Sequence, residues 1–340
     1  MDPLQLFKSQ HPEVFVLEHR LSAELTEYLL QHHWLHEDES IVSVEKPGEG
    51  NMNFVARIVT DSRSFIVKQA LPWVYKYPHV PAPPGRGKSE AIFYQLIEDD
   101  PVLQGFSPTL IGFDLQSQVL VLEDLGASAD FTFLYGSSGT LEREELQNLL
   151  LFLSHLHRIK ATPEEARCLH NRAMRELNHE HIFRYPYEEN NGLDLDEVSP
   201  GLKAVARTFQ KDTTLKQKIT EVGNLYLQNG STLVHGDFYP GSWLRGTSGI
   251  RVIDPEFGFF GSAEFDVGVM LAHALIVDRK PYTPQQILAG YQPPSYFSES
   301  LAWSYAGIEV MRRLLGLAQL PLSISLAERE ALLRQAASLI

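Results

Sequence analysis

Two carboxylate-bearing stretches carry the chemistry of this sequence: LVHGDFYPGSWL at 233–244 and RVIDPEFGFFGSAEFDVG at 251–268, separated by the short turn Gly246-Thr247-Ser248-Gly249. The segments 243–245 and 250–253 read as a hairpin about that turn, so the flanking residues return to one end and Asp237 is expected near Asp254. Side chains alternate along an extended segment, which predicts that Asp254 and Glu256 point the same way and grip one divalent cation. Asp237 is then left to face a substrate hydroxyl. Phosphoryl transfer asks for an oriented nucleophile, a metal that neutralises phosphate oxygens and a carboxylate beside the attacking hydroxyl. Taken singly, HGD and DPE are turn-forming triplets; their joint occurrence is what points to chemistry.

A phosphoryl donor must also be held. Gly48-Glu49-Gly50-Asn51-Met52-Asn53 lies between two expected strands, where small residues let backbone N–H groups approach phosphate, with Gly50, Asn51 and Asn53 as the candidates. Taken alone it reads as an ordinary strand turn, and its neighbours favour the phosphate reading. Lys68, inside the β-branched run Ile66-Val67-Lys68, is placed to reach the α- and β-phosphates, and Glu90, early in the next helix, to pair with it. The alternative is a solvated strand lysine and a helix-face glutamate; the order glycine turn, strand lysine, helix glutamate, HGD, DPE favours the functional reading. At the end of VLVLEDL, 119–125, backbone groups of Glu123 and Leu125 are expected to have no further strand to pair with and so to meet adenine.

The elements that position these residues fall into two kinds. Segment 22–33 is patterned as a helix, 41–46 begins a strand-rich region, and 53–60 and 64–70 are two strands joined at Asp61-Ser62-Arg63. Segment 71–88, rich in proline and aromatics, is expected to be a loop, with a helix at 89–98 and a second hairpin, 110–114 with 118–123, about Leu115-Gln116-Ser117. After Asp124 helices take over, beginning with 141–157 and its stripe of Leu146, Leu149, Leu150, Leu153 and Leu156. Thr162, Thr283 and Ser325 each precede Glu or Gln by three residues and so mark later helix starts. The expected fold class is α+β, with a small antiparallel-sheet lobe at 1–124 that binds nucleotide, a larger mainly helical lobe at 125–340 that carries catalysis and substrate, and a cleft between them as the site.

Composition narrows the partners. At 340 residues with 44% hydrophobic the chain supports two lobes, and its one cysteine, Cys168, excludes an internal disulfide or a zinc cysteine cluster. A net charge of −14 argues against nucleic acid, whose binders neutralise phosphates with basic patches. The N-terminal MDPLQLFKSQHPEVF lacks a basic region followed by an apolar run, and the apolar stretch 267–277 is short and interrupted by His273; no secretory signal and no membrane span are expected, and the cytoplasm is the expected location. A small-molecule alcohol is the expected substrate.

With these residues in place, the chain resembles the aminoglycoside phosphotransferase and choline kinase superfamily, small-molecule kinases of protein-kinase-like fold. Within that superfamily it is similar to the methylthioribose kinases. The resemblance rests on GEGNMNFVARI at 48–58, IVKQALPWV at 66–74, LVLEDLG at 120–126, the two carboxylate stretches, and AGIEVMRRLLGLAQ at 306–319, and so runs through nearly the whole chain. Ser242, where most of the superfamily has asparagine, favours the methylthioribose kinase branch. The resemblance implies ATP and Mg2+ as cofactors, Asp237 as catalytic base, Asp254 and Glu256 as magnesium ligands, Lys68 and Glu90 as the phosphate-binding pair, Glu123 and Leu125 as the adenine-binding hinge, Arg312 and Arg313 as sugar ligands, and a homodimer. The residues themselves say that two guanidiniums on the largely apolar helix 301–319 need partners, supplied by a substrate or by one salt bridge and one escape to solvent. The loop after Lys68 and the triplet Phe238-Tyr239-Pro240 depart from the branch's pattern, so an aminoglycoside, choline or another small alcohol stands as the alternative acceptor to a 5-substituted ribose.

Overall fold

Alternation decides the first strands. In Phe54–Thr60 every second residue is buried, as a strand with one face on a core requires. In the computed structural model, which describes residues 3–48, 52–136, 138–278 and 281–340, the chain divides into two compact units, Met1–Ala127 and Ser128–Ile340.

The first unit is built on a five-stranded antiparallel sheet. Its strands are β1 (Ile41–Glu45), β2 (Phe54–Thr60), β3 (Ser64–Gln69), β6 (Leu110–Asp114) and β7 (Val119–Glu123), in the order β1-β2-β3-β7-β6. Phe54, Ala56, Ile58, Phe65, Val67, Val119 and Val121 pack with Leu25, Tyr28 and Leu29 of the helix Ala23–Gln31, so this helix covers one face. Lys68, one residue on from Val67, belongs to the opposite face, and the helix Arg86–Ile97 supplies Glu90 there.

Two expectations are corrected here. Segment 71–88 is not simply a loop: Trp73–Val74 (β4) pairs antiparallel with Tyr77–Pro81 (β5), and the following helix begins at Arg86, not at 89. Prolines are tolerated in β5 because it lies exposed in a two-stranded ribbon, outside any sheet interior. The cause of the early helix start is the fully buried Arg86, whose guanidinium donates to the carbonyls of Leu71, Pro83, Met52 and Trp73 and so clips both ends of the segment together. At the end of the unit, Arg57 binds Asp124 through two bonds of 2.8 and 3.0 Å and also the Gly126 carbonyl, which ties 124–126 to the sheet.

In the second unit the helix Ala263–Val277 is buried on nearly every side, as its almost wholly apolar composition demands, and packs on the helix Glu299–Leu315. Gly268 permits that approach: a Cβ there would stand 2.5 Å from the Tyr305 Cβ. The helix expected at 301–319 runs instead from its Ser298 cap to Leu315 and stops at Gly316. Strand β9 (Thr232–Val234) pairs with β12 (Phe259–Gly261), and β10 (Trp243–Gly246) pairs with β11 (Gly249–Val252) about Thr247-Ser248, with β8 (Ser128–Asp130) on the other edge of β10. The expected hairpin is present, and the β9–β12 pair closes both ends of the segment that carries Asp237, Asp254 and Glu256. Among the described residues no helix is long and apolar enough to cross a membrane.

Candidate active site

In the first unit Lys68 Nζ lies 3.0 and 2.8 Å from the two carboxylate oxygens of Glu90, both residues being buried. The expected pair is formed, and a buried ammonium held this way has one position instead of many. Gly50 and Asn51 lie outside the described residues. Asn53 is buried and its side-chain oxygen accepts from Arg86 Nε at 2.8 Å, so it fastens the start of β2 to the helix behind it. The Glu123 amide is not free, contrary to expectation: it donates to the Thr109 carbonyl at 2.9 Å, because Glu123 is still paired within the sheet. Leu125 lies beyond the last strand.

In the second unit the chain turns sharply out of β9. The amides of His235 and Gly236 both donate to the Asp266 carboxylate, at 2.7 and 2.9 Å, and Asp266 is fully buried. His157 stands behind it, 3.3 Å from Oδ2, and is itself held by the Tyr291 hydroxyl at 2.6 Å. Gly236 has φ of +83°, and a Cβ there would come within 2.3 Å of the Phe257 carbonyl oxygen, so the turn accepts only glycine. Ser242 donates its hydroxyl to the Asp237 carbonyl at 2.8 Å, and the Ile253 amide donates to the Ser242 carbonyl at 2.9 Å. His235 Nε2 meets the Ile253 carbonyl at 3.0 Å; a carbonyl only accepts, so this nitrogen carries the proton. The segment before Asp254 is thus stitched to the loop that carries Asp237, and burial lowers the His235 pKa against the opposing pull of Asp266, Asp237 and Asp254.

The alternation argument for Asp254 and Glu256 does not survive. Asp254 sits in the left-handed region at φ 63° and ψ 49°, and Pro255–Phe257 form a single turn of 3-10 helix, so the segment is not extended where the two carboxylates stand. Asp254 is exposed and Glu256 buried. Asn171 holds this turn, donating to the carbonyls of Glu256 and Gly258 at 2.8 and 2.9 Å.

Arg312 and Arg313 are 8% and 5% exposed, which removes the escape to solvent. Both converge on Glu309, one turn earlier on the same helix: Arg312 Nη1 lies 3.1 and 2.9 Å from its two oxygens, and Arg313 Nε 2.6 Å from one. Arg313 Nη2 then reaches Asp237 Oδ1 at 3.4 Å, and Arg312 Nη1 stands 3.9 Å from the same oxygen. The Arg313 guanidinium also lies 4.4 Å over the Tyr239 ring. Burial raises the Asp237 pKa against the opposing pull of Arg313 and Arg312. For Glu309 the balance reverses: burial raises, but the two arginines outweigh it and hold the carboxyl well below its usual range. Tyr239 is pushed up to about 12, chiefly by burial and then by Asp237.

Sequence reasoning missed Asp266 and Glu309. Both had a signal: a carboxylate inside the apolar run AEFDVGVMLAHALIV needs a buried donor, and Glu309 precedes the arginines by three and four residues, the spacing of helical ion pairs.

A profile of the phosphotransferase enzyme family matches residues 43–300. A methylthioribose kinase of Bacillus cereus is 27% identical over 261 residues, 72% of this chain and 63% of the relative, so the chain spans under two thirds of that relative's length. A methylthioribose kinase of Erwinia tasmaniensis is 28% identical over 268 residues, 75% of this chain and 65% of the relative. Among solved structures, a spectinomycin phosphotransferase in complex with ADP and spectinomycin superposes with a TM-score of 0.52 at 14% identity, covering 94% of this chain and 97% of that one. Choline kinase LicA of Streptococcus pneumoniae does so at 0.50 and 14%, covering 94% and 99%. These likenesses establish the fold expected from the sequence.

Proposed function

The chain belongs to the phosphotransferase enzyme family, and from that premise we propose that it is an ATP-dependent kinase of a small alcohol, with a hydroxyl of methylthioribose or a related 5-substituted ribose as acceptor. The observation that carries the reading is Asp237, a carboxylate only 22% exposed at its side chain, flanked by the guanidiniums of Arg313 and Arg312 at 3.4 and 3.9 Å. In this reading Asp237 orients the acceptor hydroxyl and takes its proton as the acceptor oxygen bonds the γ-phosphorus and the bond from that phosphorus to the bridging oxygen breaks, with ADP as the leaving group. Lys68, held by Glu90, binds the α- and β-phosphates, and the Glu123 carbonyl and Leu125 amide meet adenine.

Asp254 and Glu256 suit magnesium by donor type. They are hard carboxylate oxygens and only two in number, and magnesium keeps several waters and substrate phosphates in its shell instead of asking for a full protein cage. Asp254 and Glu256 would hold the ion, which would supply charge neutralisation at the transferring phosphoryl group. The residues around it do the remaining work: Asp266 holds the turn into Asp237, and Asn171 holds the turn that carries Glu256.

Two buried guanidiniums beside Asp237 disfavour a cationic acceptor, which supports a sugar over an aminoglycoside or choline. The names of the curated relatives support the same choice. A coupled ADP-release assay with magnesium-ATP against methylthioribose, 5-deoxyribose, ribose, choline, homoserine and kanamycin tests it. Turnover on the 5-substituted riboses is expected. Turnover on kanamycin or choline and not on sugars overturns the acceptor, and no magnesium-dependent ATP binding overturns the enzyme. The cytoplasm is the location that goes with this reading.

A further inference from the structure

A cavity of about 730 Å3 lies wholly within the first unit, walled by the segment 8–20, the helix Ala23–Gln31 and the turn that joins β6 to β7. That is room for a small molecule. Its walls are fixed by one buried amide. Gln69 of β3 is fully buried and, two residues on from Val67, shares the face that the helix covers. Its Oε1 accepts from the Leu17 amide at 2.9 Å, and its Nε2 donates to the carbonyls of Phe15 and Ser117 at 2.7 and 2.8 Å. The Phe15 amide donates to the Ser117 hydroxyl oxygen at 3.1 Å. Two walls are thereby tied to each other and to the sheet, so the cavity stands ready before anything enters it.

The lining has two characters. Phe15 and Tyr28, both in it, stack at 4.0 Å with their planes 8° apart, a flat apolar wall, and the Tyr28 hydroxyl donates to Asp114 at 2.8 Å. Around them stand five carboxylates, Glu13, Glu18, Glu24, Glu27 and Asp114, against two cations, Lys8 and Arg20. Both cations are bound to Glu18, so among the described residues no lysine or arginine pairs with the other four. Only histidines come near two of them, His11 at 3.6 Å from Glu13 and His32 at 3.9 Å from Asp114. Burial raises the Asp114 pKa, but bonds from Ser117, Tyr28 and two backbone amides outweigh it and lower it, so this inner carboxylate is charged. A hydrated metal ion would leave the aromatic wall unused, and a neutral molecule would leave the charge uncompensated. An organic cation answers both, with ammonium groups beside carboxylates and an apolar stem over the rings.

We propose that this cavity is a binding site for a linear polyamine, its ammonium groups at the unpaired carboxylates and its methylenes on Phe15 and Tyr28. Several separate carboxylates call for more than one ammonium. The site is distinct from Asp237, which belongs to the other unit, and stands independently of the kinase reading.

Calorimetric titration of the full chain with spermidine tests it, with butylamine and Mg2+ as comparison probes. One spermidine per chain is expected, bound about tenfold or more tighter than either comparison probe. Phe15→Ala should weaken it about tenfold, and the double variant Glu24→Gln with Glu27→Gln about fivefold, while Asp237→Asn leaves it unchanged. Should Phe15→Ala not fold, the double variant decides, since both of its side chains are exposed. Spermidine affinity that is unchanged in the double variant overturns the proposal, as does Mg2+ binding equally well, which means screening of surface charge only. Binding lost in Asp237→Asn and kept in the cavity variants places the amine at the acceptor site and also overturns it, and so does no binding at all.

Discussion

Asp266→Asn is the sharpest test of how the turn that carries Asp237, the base in the proposed reading, is built. The carboxylate accepts two backbone N–H groups, from His235 at 2.7 Å and Gly236 at 2.9 Å, in a fully buried setting. The amide of asparagine keeps one oxygen and presents an NH2 in place of the other. One N–H keeps an acceptor, now uncharged; the other faces a donor and loses its partner. Weakening one charge-assisted bond costs about 1 kcal/mol and orphaning a buried N–H about 1–3 kcal/mol, so the native turn loses roughly 2–4 kcal/mol. If the turn alone relaxes, Asp237 is displaced, and at about 1.4 kcal/mol per tenfold the expected loss in kcat is roughly 30- to 1,000-fold. The ATP KM should not change, since Lys68 and Glu90 belong to the other unit. Coupled ADP release gives both constants, and thermal unfolding gives stability. A variant with kcat within threefold of the wild type would refute the reasoning, whatever its Tm, because the turn would then hold Asp237 without Asp266.

Asp237→Asn should abolish turnover while leaving ATP affinity, read by calorimetry, within about twofold. In the wild-type enzyme the acid limb of kcat/KM should lie above the ordinary aspartate value of about 3.9, because burial raises the Asp237 pKa and activity is lost as pH falls through it. Lys68→Met should raise the ATP KM and lower kcat/KM by about 100-fold, and Glu90→Gln, which frees Lys68 from its buried partner, should follow it in direction, both measured by ADP release. Glu39 is held well below its usual range, the largest influence being its bond to Arg63. A lowered folded pKa stabilises above the unfolded value of about 4.3 and the gain is lost as pH falls through the folded value. Glu39→Gln should therefore cost about 1 kcal/mol at pH 7, discounted for the solvent reaching Arg63, and progressively less below pH 4 in urea titrations.

The elements were legible where one physical signal acted alone. Alternation placed β2, β3, β6 and β7 to within a residue, and Ser and Thr caps placed the starts at Pro163, Pro284 and Leu326. Lys68 and Glu90 were legible from their order, a strand lysine and then a helix glutamate after the glycine turn and ahead of HGD and DPE. The 71–88 segment was not, since its structure comes from Arg86 reaching carbonyls 13 and 34 residues back, which no local pattern encodes. The alternation argument for Asp254 and Glu256 failed because Asp254 takes a left-handed conformation and opens a 3-10 turn, flanked by the Ser242–Ile253 and Asn171 contacts, none of which lies in the motif's own spacing.

On the kinase reading proposed above, with Asp237 as base, the contact between Arg313 and Asp237 sets two demands against each other. A base is stronger when its carboxylate is desolvated and weaker when a guanidinium stands beside it, and in this site burial raises the Asp237 pKa while Arg313 and Arg312 lower it. A mechanism that needed a strong base would gain by losing the arginines. Phosphoryl transfer through a loose transition state does not, because the acceptor hydroxyl gives up its proton late and the larger demand is that its oxygen lie in line. A carboxylate held by Arg313 Nη2 at 3.4 Å and carried on a turn whose amides are fastened to Asp266 meets that demand with little freedom left to lose. Replacing Arg313 should therefore raise the Asp237 pKa further and still lower kcat, and a pH profile whose acid limb moves up while its plateau falls would separate orientation from basicity. A plateau that rises with the pKa would mean that basicity governs the rate.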